Sequence, residues 1–208
     1  MIAIIDYDAG NTFNVQKALI YIGLDAVLTA DPDVILNADG VLLPGVGAYA
    51  SAVAVLKERG LVDVIYEVVK REIPLLGICL GMQLLFEESE EYGPTPGLGL
   101  IPGTVKEIPR DLGLSVPHMG WNKNTVHHPD SAFSNVDDQY TYFVHSYYVD
   151  TDPKFITSTA NYGIDVPGVV ERGRVYGMQF HPEKSGVVGL NLLRAFGNIT
   201  EAYGAAKK

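Results

Sequence analysis

The 208-residue sequence contains one cysteine and one tryptophan. A single thiol closes no internal disulfide and builds no multi-thiolate zinc site, so a reducing compartment is expected. Long apolar runs are missing too. The longest charge-free stretch, between Asp39 and Lys57, is interrupted by Pro44, Gly45 and Gly47, whereas a membrane span needs ~20 uninterrupted apolar residues. Met1–Asp6 shows neither a basic region nor a small-residue cleavage site, so no secretory leader is read there. Basic charge is scarce: 15 Lys and Arg stand against 25 Asp and Glu, a formal net charge of −10. That field repels polyanions and counts against a nucleic-acid target. No His-x-x-x-His or Cys-x-x-Cys pairing occurs, so neither a metal nor another cofactor is called for. These absences point to a soluble, cytoplasmic protein.

What is present is enough to fold. Hydrophobic residues make up 47% and charged residues 19%, and a chain of this length buries roughly 70% of its unfolded surface. Ile2–Ile5 is a continuous apolar run, the pattern of a strand buried on both faces. Val15, Ala18, Leu19 and Ile22 then recur at helical spacing. Ala26–Thr29, Gly40–Leu43 and Leu75–Ile78 read as further strands, and 48–59, 62–71 and 80–91 as helices. The back half carries short strands at Gly103–Ile108, Tyr140–Val144, Phe155–Ala160, Val169–Arg172 and Val175–Phe180, with a last helix over 186–196. This pattern predicts a single α/β domain over residues 1–203. Its central sheet is mixed but mostly parallel, flanked by helices and extended by antiparallel strands. Residues 204–208 read as a frayed tail.

Cys79 lies in Leu75-Leu-Gly-Ile-Cys-Leu-Gly-Met-Gln83, with Gly77 and Gly81 two residues to either side. A strand running straight into a helix between such glycines is the pattern of a nucleophile elbow. It projects the thiol from the sheet edge at a helix N-terminus, which favours the thiolate. A thiolate nucleophile needs a base, and the base an orienting acceptor. His181 follows a strand, and Glu183 stands two residues later across Pro182. Residues i and i+2 of an extended segment share a side. His127 and His128 fall in a polar loop, whereas His118 and His145 look like positioning residues. Pro44-Gly-Val-Gly47 ends another strand at the same edge. Its flexible backbone and the amide of Leu80 are candidate oxyanion donors.

Together these segments resemble the class I (triad-type) glutamine amidotransferases over essentially the whole chain. The resemblance implies a flavodoxin-like fold, with Cys79 as nucleophile, His181 as base and acid, and Glu183 as the orienting carboxylate. It implies oxyanion contacts from Val46, Gly47 and Leu80. Glutamine contacts are implied for Gly45, Gln83, Glu91 and the segment His145-Ser146-Tyr147. Four strings are similar to the glutaminase subunits of imidazole glycerol phosphate synthase: Ile4-Ile-Asp-Tyr-Asp-Ala-Gly-Asn11, Val116-Pro-His-Met-Gly-Trp-Asn122, Phe143-Val-His-Ser-Tyr147 and His181-Pro-Glu-Lys-Ser185. Asp8 stands where that family usually has Gly, and Asn14 where it often has Ser.

That branch implies a heterodimer with a cyclase subunit, a (β/α)8 barrel, docked through Asn11, Met119, Trp121, Tyr142 and Lys184. Ammonia from L-glutamine would pass to the barrel, which converts PRFAR to imidazole glycerol phosphate and AICAR in histidine biosynthesis. Without the resemblance other functions stay open. They are a stand-alone hydrolase using Cys79, a regulatory protein that has lost catalysis, and, least favoured, a metal enzyme.

Overall fold

The computed structural model describes residues 1–8 and 10–207. Ala9 of the first loop and Lys208 of the expected tail lie outside the described residues. The front half runs β1 (Ile2–Ile5), α1 (Thr12–Tyr21), β2 (Ala26–Thr29), α2 (Pro32–Asn37), β3 (Gly40–Gly45), α3 (Tyr49–Glu58), α4 (Leu61–Lys70), β4 (Leu75–Cys79) and a short α5 (Leu80–Leu84). The strands β5 (Phe86–Ser89), β6 (Thr95–Pro96), β7 (Ile101–Glu107), β8 (His118–Val126) and β9 (Tyr140–His145) follow. Then come β10 (Tyr147–Asp150), β11 (Ile156–Asn161), β12 (Asp165–Arg172), β13 (Val175–Met178) and the closing α6 (Gly186–Ala206).

The main sheet has nine strands in the order β2-β1-β3-β4-β13-β12-β11-β8-β9. Its first five are parallel and the rest antiparallel. This is the mixed α/β sheet that the sequence predicts, although its parallel and antiparallel pairings are equal in number rather than mostly parallel. The 2-1-3-4 start is that of the flavodoxin-like doubly wound folds, which bind ligands at the carboxyl ends of their strands. Strand residues alternate between two cores. Ala3, Ile5, Val41 and Leu43 pack with Ile35, Leu56, Leu61 and Ile65 of α2–α4. Ile2, Ile4 and Leu42 pack with Val15 and Leu19 of α1 and with Leu192, Leu193 and Phe196 of α6. Helix α4 shows why it forms: Leu61, Val64, Ile65 and Val68 are buried at i, i+3, i+4 and i+7.

Several expectations are corrected. The helix expected over 80–91 stops at Leu84, and Phe86–Ser89 becomes a strand paired with β7. Glu87 and Glu88 favour helix, but buried Phe86 gains more from sheet pairing, so tertiary packing overrides propensity. The strand expected near 103–108 leaves the main sheet for a second, four-stranded one, β10-β7-β5-β6. Residues 204–206, expected to fray, continue α6, and the Lys207 ammonium bonds Ala38 O at 2.9 Å. Strand β8 was not anticipated.

Candidate active site

Strand β4 lies between β3 and β13, with Cys79 in register with Gly45. The thiol therefore stands mid-sheet at the carboxyl edge. Cys79 has φ 54 and ψ −115, a conformation costing of order 1–3 kcal/mol and kept where function requires it. The turn closes because its flanks lack side chains. A Cβ on Gly81 would come within 1.8 Å of Leu43 O, and one on Gly77 within 2.6 Å of Gly81 O.

Strand β13 ends at Met178, and the chain bends through Gln179 and Phe180 to His181, which is 2% exposed. The His181 amide donates to Tyr142 O at 2.9 Å. The Ser185 hydroxyl donates to His181 O at 2.7 Å and accepts from the Tyr142 amide at 2.9 Å. The imidazole is thus pinned to β9. His181 Nδ1 donates to Glu183 Oε1 at 2.7 Å, which leaves Nε2 for the Cys79 side. Burial pulls the His181 pKa down, but hydrogen bonds and charge from Cys79 and Glu183 outweigh it and hold it at about 9.

Asn11 was expected at a partner interface. Its amide donates to Glu183 Oε1 at 2.5 Å and lies 3.5 Å from His181 Nδ1. Asn14 donates to Asn11 Oδ1 at 2.8 Å, which turns the Asn11 N–H groups toward the carboxylate. The other oxygen, Glu183 Oε2, is buried with no partner among the described residues.

A cavity of about 450 Å³ opens beside the thiol and brings the candidate residues together. Cys79 and His181 line it with Val46, Gly47 and Leu80 on the oxyanion side. Gln83, Glu91, His145, Ser146, Tyr147 and Lys184 complete most of the wall. Gly45 is not among the lining residues; it lies behind, next to Cys79 in the sheet. Gly47 has φ 94, which suits glycine in the loop leaving β3. Glu91, expected on a helix, lies after β5 and accepts from the Tyr49 amide at 2.7 Å, capping α3 from a distance.

Gln83 Nε2 donates to Tyr147 O and to Gln179 Oε1, each at 3.0 Å. Gln179 Nε2 lies 3.9 Å from Cys79 Sγ. Gln179 and Arg110, which also lines the cavity, were not singled out in the sequence. The two-residue spacing of Gln179 and His181 was the available signal. Met119 (63% exposed) and Trp121 (53% exposed) stand on the outer face of the β8–β9 ribbon, with Tyr142 half-buried beside Trp121. Lys184 is exposed at the rim. His127 and His128 are exposed and away from the site, as expected.

Residues 3–197 match the family model described as glutamine amidotransferase class-I. The chain is 54% identical over 202 residues to the imidazole glycerol phosphate synthase subunit HisH of Lactiplantibacillus plantarum, covering 97% of each. It is 48% identical over 200 residues to the HisH subunit of Listeria monocytogenes, covering 96% of each. Among solved structures it superposes on a glutamine amidotransferase with TM-score 0.76 at 19% identity, covering 97% of this chain and 100% of that one. A putative GMP synthase subunit from Thermoplasma acidophilum gives TM-score 0.73 at 19% identity, with 99% and 96% covered. At that identity the structures speak for the fold alone, while the sequence relatives carry the closer kinship. The chain belongs to the class-I glutamine amidotransferases, in the branch of the HisH subunits.

Proposed function

We infer that the protein is the glutaminase subunit of an imidazole glycerol phosphate synthase, working in the cytoplasm as a heterodimer with a cyclase barrel. The observation that carries this is the assembly of Cys79, His181 and Gln83 around one cavity, with Glu183 bonded to His181 behind its wall. The Cys79 thiolate attacks the side-chain carbonyl carbon of L-glutamine. The Leu80 amide, at the first position of α5 with no intrahelical acceptor, and the loop at Val46-Gly47 face the oxygen that becomes negative. His181, protonated below about pH 9, gives its proton to the departing nitrogen, releasing ammonia and leaving a γ-glutamyl thioester. The neutral imidazole then takes a proton from water, the hydroxide attacks the thioester, and glutamate leaves as Cys79 is regenerated.

Ammonia in water near pH 7 is almost all protonated and no longer nucleophilic, so it has to be handed over inside a complex. The face built by Met119, Trp121, Tyr142 and Lys184 supports docking of the cyclase there, since aromatic anchors are favoured at interfaces. Rapid-quench mass spectrometry of the complex turning over glutamine tests the chemistry. One γ-glutamyl group on Cys79, absent from Cys79→Ala, is expected; a chain that stays unmodified while glutamate accumulates contradicts it.

A further inference from the structure

Two buried histidines lie outside the triad. His118 opens β8 and His145 closes β9, directly opposite each other in the ladder. The His118 ring is stacked between Tyr162 (centroids 3.8 Å apart) and Phe143 (5.0 Å). A phenyl ring would fill such a slot as well; what imidazole adds is two ring nitrogens, each set against a polar atom. His118 Nε2 lies 2.8 Å from Asn122 Oδ1, and His118 Nδ1 lies 3.0 Å from His145 Nε2. His145 Nδ1 lies 2.8 Å from Tyr147 O. Burial pulls both imidazoles toward the neutral form, His145 to about 3.

The proton positions follow from the fixed end of the chain. Tyr147 O only accepts, so His145 Nδ1 carries its proton and Nε2 accepts from His118 Nδ1–H. The same carbonyl accepts from Gln83 Nε2, whose second N–H goes to Gln179 Oε1. Both Gln83 donors are therefore committed. Its Oε1 bonds no described residue, although Gln83 lines the cavity. A continuous hydrogen-bonded path thus leads from β8, whose Met119 and Trp121 are exposed, to the glutamine pocket and on toward Cys79.

We propose that His118 and His145 are positioning residues: the pair fixes the Tyr147 carbonyl, which fixes the Gln83 amide so that its Oε1 meets the substrate as an acceptor. The proposal rests on the glutaminase function above. Two neutral imidazoles bring two ring protons to three contacts. The contact left short is the outermost, at Asn122, where a rotatable amide also bonds Asn161 O at 2.8 Å. Asn122 sits between exposed Trp121 and Lys123. Docking on that face therefore acts on the one adjustable joint of the path.

His118→Phe keeps the stacked ring and removes both nitrogens. His118→Asn keeps an amide donor where Nδ1 stands. In the glutaminase–cyclase complex, KM for glutamine rises about tenfold in His118→Phe, the order of one buried hydrogen bond. Iodoacetamide alkylation of Cys79 stays within about twofold of the parent, since the triad is untouched. His118→Asn recovers most of the loss, and Asn122→Ala at the outer end gives a smaller rise in KM. Independently of turnover, 15N spectra of the parent show His145 protonated at Nδ1 and accepting at Nε2, and His118→Phe loses the accepted bond. An unchanged KM in His118→Phe, alkylation falling in step with turnover, or His118→Asn no better than Phe overturns the proposal. A parent complex that releases no glutamate overturns the glutaminase assignment instead, and the histidine spectrum then decides the relay.

Discussion

Glu183 places its two carboxylate oxygens in unequal surroundings. Oε1 accepts from both His181 and Asn11, while Oε2 is buried with no partner among the described residues. Among those residues the two bonds at Oε1 alone hold the carboxylate, and bonds to a charged oxygen are the strong ones. Asn11→Ala removes one charge-assisted bond and is expected to lower kcat roughly tenfold or more. Steady-state kinetics with an unchanged melting temperature check this. The proton on His181 gives a pH prediction. Below about pH 9 the imidazole is charged and can protonate the leaving nitrogen; above it the acid is lost. The kcat/KM for glutamine, which reports acylation, falls as pH rises through about 9. Glu183→Gln removes a charge that holds the proton, so the surviving activity falls off at lower pH; an unmoved limb contradicts the assignment. Cys79, His181 and Glu183 were legible because each sits in a short motif with its own stereochemical reason. The resemblance places Asn11 at a partner surface; its additional contact with His181 is hidden from the sequence by their 170-residue separation. Gln179 passed for strand core.

At the scale of elements, the elbow depends on main chains approaching more closely than side chains permit. Gly81→Ala places a Cβ within 1.8 Å of Leu43 O, and both groups belong to backbone that cannot move independently. Loss of the folded state, or destabilisation beyond about 4 kcal/mol, is expected in thermal or urea unfolding. The parallel strands were legible as apolar runs. The turn into β5 was not, because Leu84, Leu85 and Phe86 are all buried and such a run fits either helix or strand. Helix α2 was also missed, although Asp31 caps it and Pro32 starts it. Six residues with one buried side chain give no period to read. Strand β8 escaped for another reason: it carries polar residues inward, with His118 and Asn124 buried while Met119 and Trp121 face out. The usual apolar-in alternation is inverted there, because this ribbon's inner face is a polar network.

For the whole molecule, the main sheet gathers the nucleophile, its base and the oxyanion loop at one edge, and β9 leads directly into β10 of the second sheet through Ser146. The cavity lies at that junction, and the exposed aromatic face of the ribbon borders it through Lys184 and through Val144, the ladder partner of Met119. Trp121→Ala should weaken cyclase binding by about 2 kcal/mol or more, roughly thirtyfold in Kd by calorimetry, without moving the melting temperature. An unchanged Kd would place the interface elsewhere. The most direct test of the central claim is glutamate release from glutamine by the purified chain, alone and with the cyclase barrel and its nucleotide substrate, with Cys79→Ala as the blank. Turnover that is low alone, rises by orders of magnitude in the complex and vanishes in the variant is the predicted result. Full turnover alone, unchanged by the barrel, would contradict a coupled glutaminase.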